Sequence, residues 1–383
     1  MSSPDLSDAE RQAVMAVLNT PRLSLGPELE GFEQAVRRTA GTRHAVGVSS
    51  GTTGLHLAVR AAGVTDGEAV ITTPFSFVAS ANVILYERAT PVFVDVDPAT
   101  GNIDPALVSQ AAADLGAGGA AARRWWPRAG GEIGRLKAIL AVDVFGQPAE
   151  FDQLAPTARE HGLALIEDAC EAVGSSYRGR PAGGLGDLGV YAFYPNKVAT
   201  SGEGGAVVTD RDDWAAAVRS MANQGRPPGD TWLEHSVLGF NYRMDELSAA
   251  LGRVQLGRLE ELRAKRQRVA AWYAARLGSV AGVEAPATGA STTCHSWFVY
   301  VVRLPAGADR RGIAGRMEAA GIPTRPYFAP IHLQKYFVDQ FGYRPGDFPV
   351  TEDLGSRSLA LPFSGVMQEA QVDEVVEALR KAL

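Results

Sequence analysis

The stretch "LALIEDACEAVGSSYRGRPAGGLGDLGVYAFYPNKVATSGEGGAVVTD" (residues 163–210) decides the fold. It opens on an apolar run, 163–169, that carries no alternation and ends in the acidic pair Glu167 and Asp168, the pattern of a strand buried on both faces. Two more strand patterns follow, "GVYAFY" (189–194) and "GAVVTD" (205–210), and between them sits one lysine, Lys197, beside a glycine-rich turn. Gly184, Gly186 and Gly189 satisfy the G-x-G-x-x-G spacing of a dinucleotide site. That site needs a helix directly after the glycines, whereas 190–194 is a strand pattern, so NAD binding is rejected.

Upstream, short apolar runs alternate with helical patterns. "HAVGVSS" (44–50) precedes "GTTGLHLAVRAAG", in which Leu55, Ala58, Val59 and Ala62 share one helical face. "AVITTP" (69–74), "TPVFVDVD" (90–97) and "LKAILAVDVFG" (136–146) are further strands, with helical stretches at 78–87 and 151–161. Strands apolar on both faces and separated by helices predict an α/β fold with a mostly parallel sheet covered on both sides, which the strands near 190 and 207 close.

At 383 residues the chain exceeds what one core serves. A large domain over 1–250 and a smaller C-terminal α+β domain over 251–383 are expected, joined by one long amphipathic helix that runs from about residue 245 through "DELSAALGRVQLGRLEELRAKRQRVAAWYAARL". "WFVYVVRL", the helix 310–320 and the terminal "EAQVDEVVEALRKAL" belong to the smaller unit. Residues 114–135, rich in Gly, Ala and Arg, lose all periodicity and are assigned to an inserted surface loop or hairpin. Its cluster Arg123-Arg124-Trp125-Trp126 offers planes for stacking a nucleotide or a partner, or anchors the loop on its own protein.

Composition excludes several classes of function. A 46% hydrophobic, 21% charged chain of net charge -6 is globular and has no basic footprint for nucleic acid or an anionic membrane. No run approaches about 18 apolar residues, and the N-terminus carries a capping box, Ser7 to Glu10, where a targeting segment would have an apolar core. Cys170 and Cys294 are too few for a disulfide framework, and the histidines lack metal-ligand spacing. A cytoplasmic protein acting on small molecules, with no metal, is expected.

The chemistry gathers at strand ends. In "VSSGTTGLHLAV" a strand turns into a helix near Thr52, where free N–H groups and the helix dipole suit a phosphate. Asp168 stands at the carboxyl end of its strand, the edge where ligands collect in such sheets, with Glu167 as its expected exposed neighbour. Lys197 also follows a strand. An anion cradle, a carboxylate and a lysine are the parts that pyridoxal phosphate requires: phosphate on the helix terminus, a Schiff base on the lysine, and an acid paired with the pyridinium nitrogen. Asp168 would keep the ring protonated and electron-withdrawing, Lys197 would act as nucleophile and then as general base, and Phe77, in "TTPFSFVAS", would lie against the ring.

Six motifs in order, "SSGTTGL", "TTPFSFVASAN", "PVFVDVDPATGNID", "IEDACEAVGSSYRGRPAGGLGDLG", "FYPNKVATSGEGGAVVTD" and "LGFNYRMDELSAALG", resemble those of the DegT/DnrJ/EryC1/StrS sugar aminotransferases. The resemblance implies a fold type I pyridoxal phosphate enzyme, with a seven-stranded-type sheet in the large domain, working as a homodimer with shared active sites. It assigns Lys197 as the Schiff-base lysine, Asp168 as the pyridine partner, Phe77 as the stacking aromatic, and Gly51 with Thr52 as the phosphate cradle. Asn241 matches a residue that reaches the phosphate in the neighbouring subunit. Lysine rather than histidine at 197 argues for amino transfer over dehydration. Two positions depart from the common pattern: Ala192 replaces a serine that binds phosphate, and Glu171 replaces glutamine or histidine beside the ring. In "RPYFAPIHLQ", Tyr327 and His332 either hydrogen-bond a sugar or pack the domains together, and Arg243 suits phosphate or the carboxylate of the amino donor. The implied reaction moves an amino group from an amino acid, glutamate or glutamine, to a nucleotide-linked keto-deoxysugar; a keto-cyclitol acceptor and a non-catalytic regulatory role are the alternatives.

Overall fold

The computed structural model describes residues 3–383 apart from 132, 228 and 230–232, so Glu132 of the expected insertion and residues 1 and 2 of the expected large domain lie outside the described residues. The strands of its first part are β1 (His44–Val48), β2 (Ala69–Thr72), β3 (Thr90–Phe93), β4 (Leu136–Val142), β5 (Ala164–Asp168), β6 (Ser176–Tyr177), β7 (Arg180–Pro181), β8 (Leu188–Ala192) and β9 (Gly205–Thr209). Seven of them form one sheet in the order β1-β9-β8-β5-β4-β2-β3. The neighbours from β8 to β3 are parallel, and β9 runs antiparallel to both β8 and β1. Because β9 reverses twice, β1 points the same way as β5, and six strands deliver their carboxyl ends to one edge of the sheet.

The continuous apolar runs are explained by burial on both faces. Val70, Leu140, Ile166 and Val190 enter one core layer, while Ile71, Ile139 and Leu165 enter another. Glu167 is not the exposed neighbour expected beside Asp168: it is fully buried. Its carboxylate accepts hydrogen bonds from the N–H groups of Gly183, Leu185 and Gly186, so the glycine-rich turn is wrapped around an acid. Gly183 has φ +91°, and a Cβ there would meet the Tyr191 ring at 2.4 Å, which is why the turn needs glycine at that position.

Two sequence expectations are corrected. The helix from 245 is two helices, Glu246–Gly257 and Leu259–Leu277, broken at Arg258, whose φ of -102° and ψ of 7° leave the helical region. The guanidinium of Arg258 is held there by Asp5, Glu10 and Glu261. The segment 114–135 is only partly a loop: 114–117 completes the helix Pro105–Ala117, and Gly119–Arg123 is a short helix built on consecutive alanines. Its tryptophans anchor it. Trp125 Nε1 donates to Asp114 Oδ2 at 2.8 Å, Arg124 pairs with the same acid, and both indoles pack on the core beneath. Further along, Arg128 pairs with Asp347 and the Ala129 N–H reaches the Phe341 carbonyl, docking the segment onto the C-terminal part of the chain.

That C-terminal part has its own core around Val269, Tyr273, Val302, Leu359 and Val376, backed by β11 (Tyr300–Arg303) and β12 (Ser358–Leu361), while β10 (Thr292–Cys294) pairs with β6. No helix among the described residues is long and apolar enough to cross a membrane.

Candidate active site

The helix Gly51–Ala61 begins where β1 ends, at the ligand edge of the sheet. Ser50 is its N-cap: the Ser50 hydroxyl accepts from the Thr53 N–H at 3.1 Å and Thr53 Oγ1 accepts from the Ser50 N–H at 3.0 Å. This box satisfies Thr53 but leaves the amides of Gly51 and Thr52 without intrahelical partners, at the positive end of the dipole. Both residues line a cavity of about 390 Å³. A Cβ on Gly51 would lie 2.6 Å from Ala192 Cβ and 2.9 Å from Cys170 Sγ, so the backbone approaches this closely only as glycine.

The same cavity is lined by Phe77, Asp168, Glu171, Lys197 and Tyr327. Asp168 is 4% exposed and both its oxygens are engaged: Oδ2 accepts from Ser80 Oγ at 2.7 Å and Oδ1 from the Cys170 N–H at 3.2 Å. The Lys197 amine lies 3.8 Å from Glu171 Oε1 and 4.0 Å from the centre of the Phe298 ring. Glu171 accepts from the Phe145 N–H at 2.8 Å. Burial lifts its carboxyl above the ordinary carboxylate range, against the opposing pull of Lys197 and the Phe145 amide. Burial likewise raises the Cys170 thiol well above its usual value, so it is a poor nucleophile despite its place in the cavity. Phe77 is 62% exposed, an aromatic ring at the mouth.

Three sequence candidates are not brought to this cavity. His332 is fully buried, bonded through Nε2 to Glu352 at 3.0 Å and packed against Phe348, so the choice between sugar contact and domain packing falls to packing. Asn241 is exposed and bridged to Asn223. Arg243 donates to Asn223 Oδ1 at 3.1 Å, on the far side of β1 from Lys197's loop. Conversely, Ser80, Phe298 and Arg266 escaped the sequence. Arg266, in the helix Leu259–Leu277, is buried and donates to the carbonyls of Lys197, Trp297 and Phe298. The one signal for it is an arginine on the apolar stripe of an amphipathic helix, which sequence alone cannot tell from a solvated one.

Pyridoxal phosphate fits these residues. A glycine-lined helix terminus suits its phosphate, and an acid with both oxygens fixed suits its ring nitrogen. Asn196 Oδ1, at the same cavity, is buried with no hydrogen-bond partner among the described residues, as expected of an acceptor meant for a bound molecule. Among the described residues no group of three or more His, Cys, Asp or Glu is placed to hold a metal.

Comparison with known proteins agrees. A sequence model of the DegT/DnrJ/EryC1/StrS aminotransferase family matches residues 4–380. The GDP-perosamine synthase of Caulobacter vibrioides is 36% identical over 386 residues, covering 100% of this chain and 98% of its own. The dTDP-3-amino-3,4,6-trideoxy-alpha-D-glucose transaminase of Streptomyces venezuelae is 34% identical, covering 97% and 92%. A crystal structure of a DegT DnrJ EryC1 StrS aminotransferase from Brucella abortus matches with TM-score 0.86 at 31% identity, over 98% of this chain and 95% of that one.

Proposed function

This chain belongs to the DegT/DnrJ/EryC1/StrS family of pyridoxal phosphate-dependent aminotransferases, and from that membership we propose that it transfers an amino group from glutamate or glutamine to the ketone of a nucleotide-linked deoxysugar. The observation that carries this is the meeting of Lys197, Asp168 and the start of the helix Gly51–Ala61 on one cavity. The acceptor class is supported by relatives whose names specify GDP- and dTDP-linked sugars.

When bound, the cofactor supplies an electron-withdrawing ring and carries the nitrogen between the two substrates. The chain's own residues do the rest. The Gly51 and Thr52 amides would hold the phosphate, Asp168 would pair with the ring nitrogen, and Phe77 would cover the ring. Lys197 would hold the cofactor and, with its amine set free by the incoming donor, would carry the donor's α-carbon proton on Nζ. Glu171, 3.8 Å away, keeps that amine oriented. Tyr327 lines the acceptor side. In this proposal the large unit, 1–250, carries the cofactor, and the small unit, 251–383, closes the acceptor side.

The proposal includes a homodimer whose cytoplasmic subunits share sites. Leu233 and Leu238, 81% and 71% exposed, lie on the segment leading to Asn241, an apolar stretch that a second copy would cover while Asn241 reaches its phosphate. Two free thiols, Cys170 and Cys294, suit a reducing compartment.

The test loads the protein with pyridoxamine phosphate and offers it nucleotide ketosugars and inososes while the yellow cofactor band is followed. Return of the band with a nucleotide ketosugar, and its failure in Lys197→Ala, are expected. Reaction with inososes alone would replace the sugar with a cyclitol as acceptor. Failure of every amino acid to load the protein in the forward direction would remove glutamate and glutamine as donors.

A further inference from the structure

We propose that His295 is a positioning residue for the Glu171 carboxylate, acting through the peptide of Phe145; this rests on the assignment of Glu171 and Lys197 to the active site. Nε2 of His295 lies 3.2 Å from the Phe145 carbonyl oxygen. A carbonyl only accepts, so Nε2 carries the proton and Nδ1 the lone pair. The N–H of the same Phe145 donates to Glu171 Oε2 at 2.8 Å, and the other carboxylate oxygen is 3.8 Å from the Lys197 amine. One imidazole, one backbone residue and one carboxylate thus form a continuous chain that ends at the lysine.

Phe145 is the residue in this chain that needs holding. Its φ of 59° and ψ of 15° put a non-glycine residue in the left-handed region, which persists only where the surroundings enforce it. Its ring is enforced by stacking on Phe328, with centroids 5.2 Å apart, and by an edge contact with Phe75. Those contacts fix the side chain. The following peptide plane is held from two sides, the Gly146 N–H donating to the Asp143 carbonyl at 3.1 Å and His295 donating to the Phe145 carbonyl.

His295 is itself well fixed. It is buried and stacked on Trp297, with centroids 4.0 Å apart and planes 19° from parallel. Burial holds its pKa down to about 4, so the ring stays neutral and the Nε2–H tautomer persists at physiological pH. Its Nδ1 has no hydrogen-bond partner among the described residues, so no competing bond turns the ring away from Phe145. Arg303 is the charged residue that borders the same small cavity as His295. The titratable groups that face Glu171 are Lys197, Asp168, Cys170 and Tyr327.

Two near-isosteric variants separate a positioning role from mere filling of space. His295→Gln keeps an N–H donor near the position of Nε2, and His295→Met fills similar volume without one. The readout is the titration of the Glu171 carboxyl carbon by NMR in cofactor-free protein labelled with ¹³C-glutamate, the signal being assigned with Glu171→Gln. A loosened Phe145 amide favours the protonated acid, so H295M is expected to raise the Glu171 midpoint by about half a unit or more. H295Q is expected to restore the wild-type midpoint. Identical midpoints in wild type, H295M and H295Q would overturn the proposal. So would nitrogen NMR of the wild-type imidazole showing Nε2 without its proton, a measurement that stands even if H295M does not fold. Because the titration needs neither cofactor nor sugar, the expected shift would support the relay in a protein that transfers nothing to any nucleotide sugar.

Discussion

Ser80 donates its hydroxyl proton to Oδ2 of Asp168 across 2.7 Å, although 88 residues separate the two in the chain. With the Cys170 amide on the other oxygen, the carboxylate is held in one orientation, and a buried charge-assisted bond of this kind contributes more than a neutral one. Ser80→Ala is expected to weaken retention of pyridoxal phosphate roughly tenfold, corresponding to about 1.4 kcal/mol. Titration of the cofactor-free protein, followed by absorbance, checks this. An unchanged dissociation constant would mean that Asp168 is oriented without Ser80.

Gly51 meets Ala192 so closely that a methyl group cannot be added to it without displacing one of them. Gly51→Ala should therefore lower stability by about 1–3 kcal/mol and weaken the phosphate cradle together. Adding Ala192→Gly removes the nearer of the two obstructing groups. The double variant is expected to recover most of the lost stability in urea unfolding, whereas simple additivity of the two single effects would contradict the contact.

Asp143, just past the end of β4, and Glu167, in β5, are both fully buried, and their charges act on one another. Burial first, then the negative charge of Glu167, raises the Asp143 carboxyl well above the carboxylate range. The folded protein thus binds a proton that the unfolded chain releases. Stability is full below the unfolded carboxylate value and is lost as pH rises toward the folded one, at about 1.4 kcal/mol per unit. Asp143→Asn removes this titration while keeping an acceptor for the Ala149 N–H. Unfolding measured between about pH 5 and 8 should show the variant gaining on wild type as pH rises; parallel curves would refute it.

Among the described residues Arg266 bonds three backbone carbonyls and no carboxylate, and burial holds its guanidinium down to about 10. Arg266→Met leaves the carbonyls of Lys197, Trp297 and Phe298 unpaired in an apolar setting, which should cost about 3 kcal/mol in unfolding stability. Arg266→Lys should recover only part of this, because an ammonium cannot span the planar fork. The yellow band on loading with cofactor is expected to weaken in step with the loss, since the Lys197 carbonyl is one of the three.

Much of this was legible in the chain itself. The runs near 44, 69, 136, 164 and 189 read as doubly buried strands because apolar residues fall on both of their faces, and β1, β2, β4, β5 and β8 stand where those runs are. Lys197 and Asp168 stood out because a charged side chain at the end of such a run is costly unless it is used or paired. What misled was local pattern without direction. The helical periodicity from 245 to 277 is real, yet it reports which face is apolar and not whether the axis turns at Arg258. The alanines at 120–122 form a short helix inside what composition marks as a loop. The expectation of Glu167 as an exposed neighbour of Asp168 failed because alternation along β5 sends Glu167 into the glycine turn and Asp168 to the cavity.

By itself the sequence determined the layers of the fold, the family and the chemical parts of the site, because strand burial, helix starts and a lone lysine are properties of short segments. Only the tertiary structure decided which distant groups meet: Ser80 with Asp168, Arg266 with the Lys197 carbonyl, His295 with Phe145, and His332 with Glu352 away from the cavity. The reason is physical. A hydrogen bond acts over about 3 Å, whereas the order of residues along a chain says nothing about proximity until crossovers and packing have set which strand ends lie side by side.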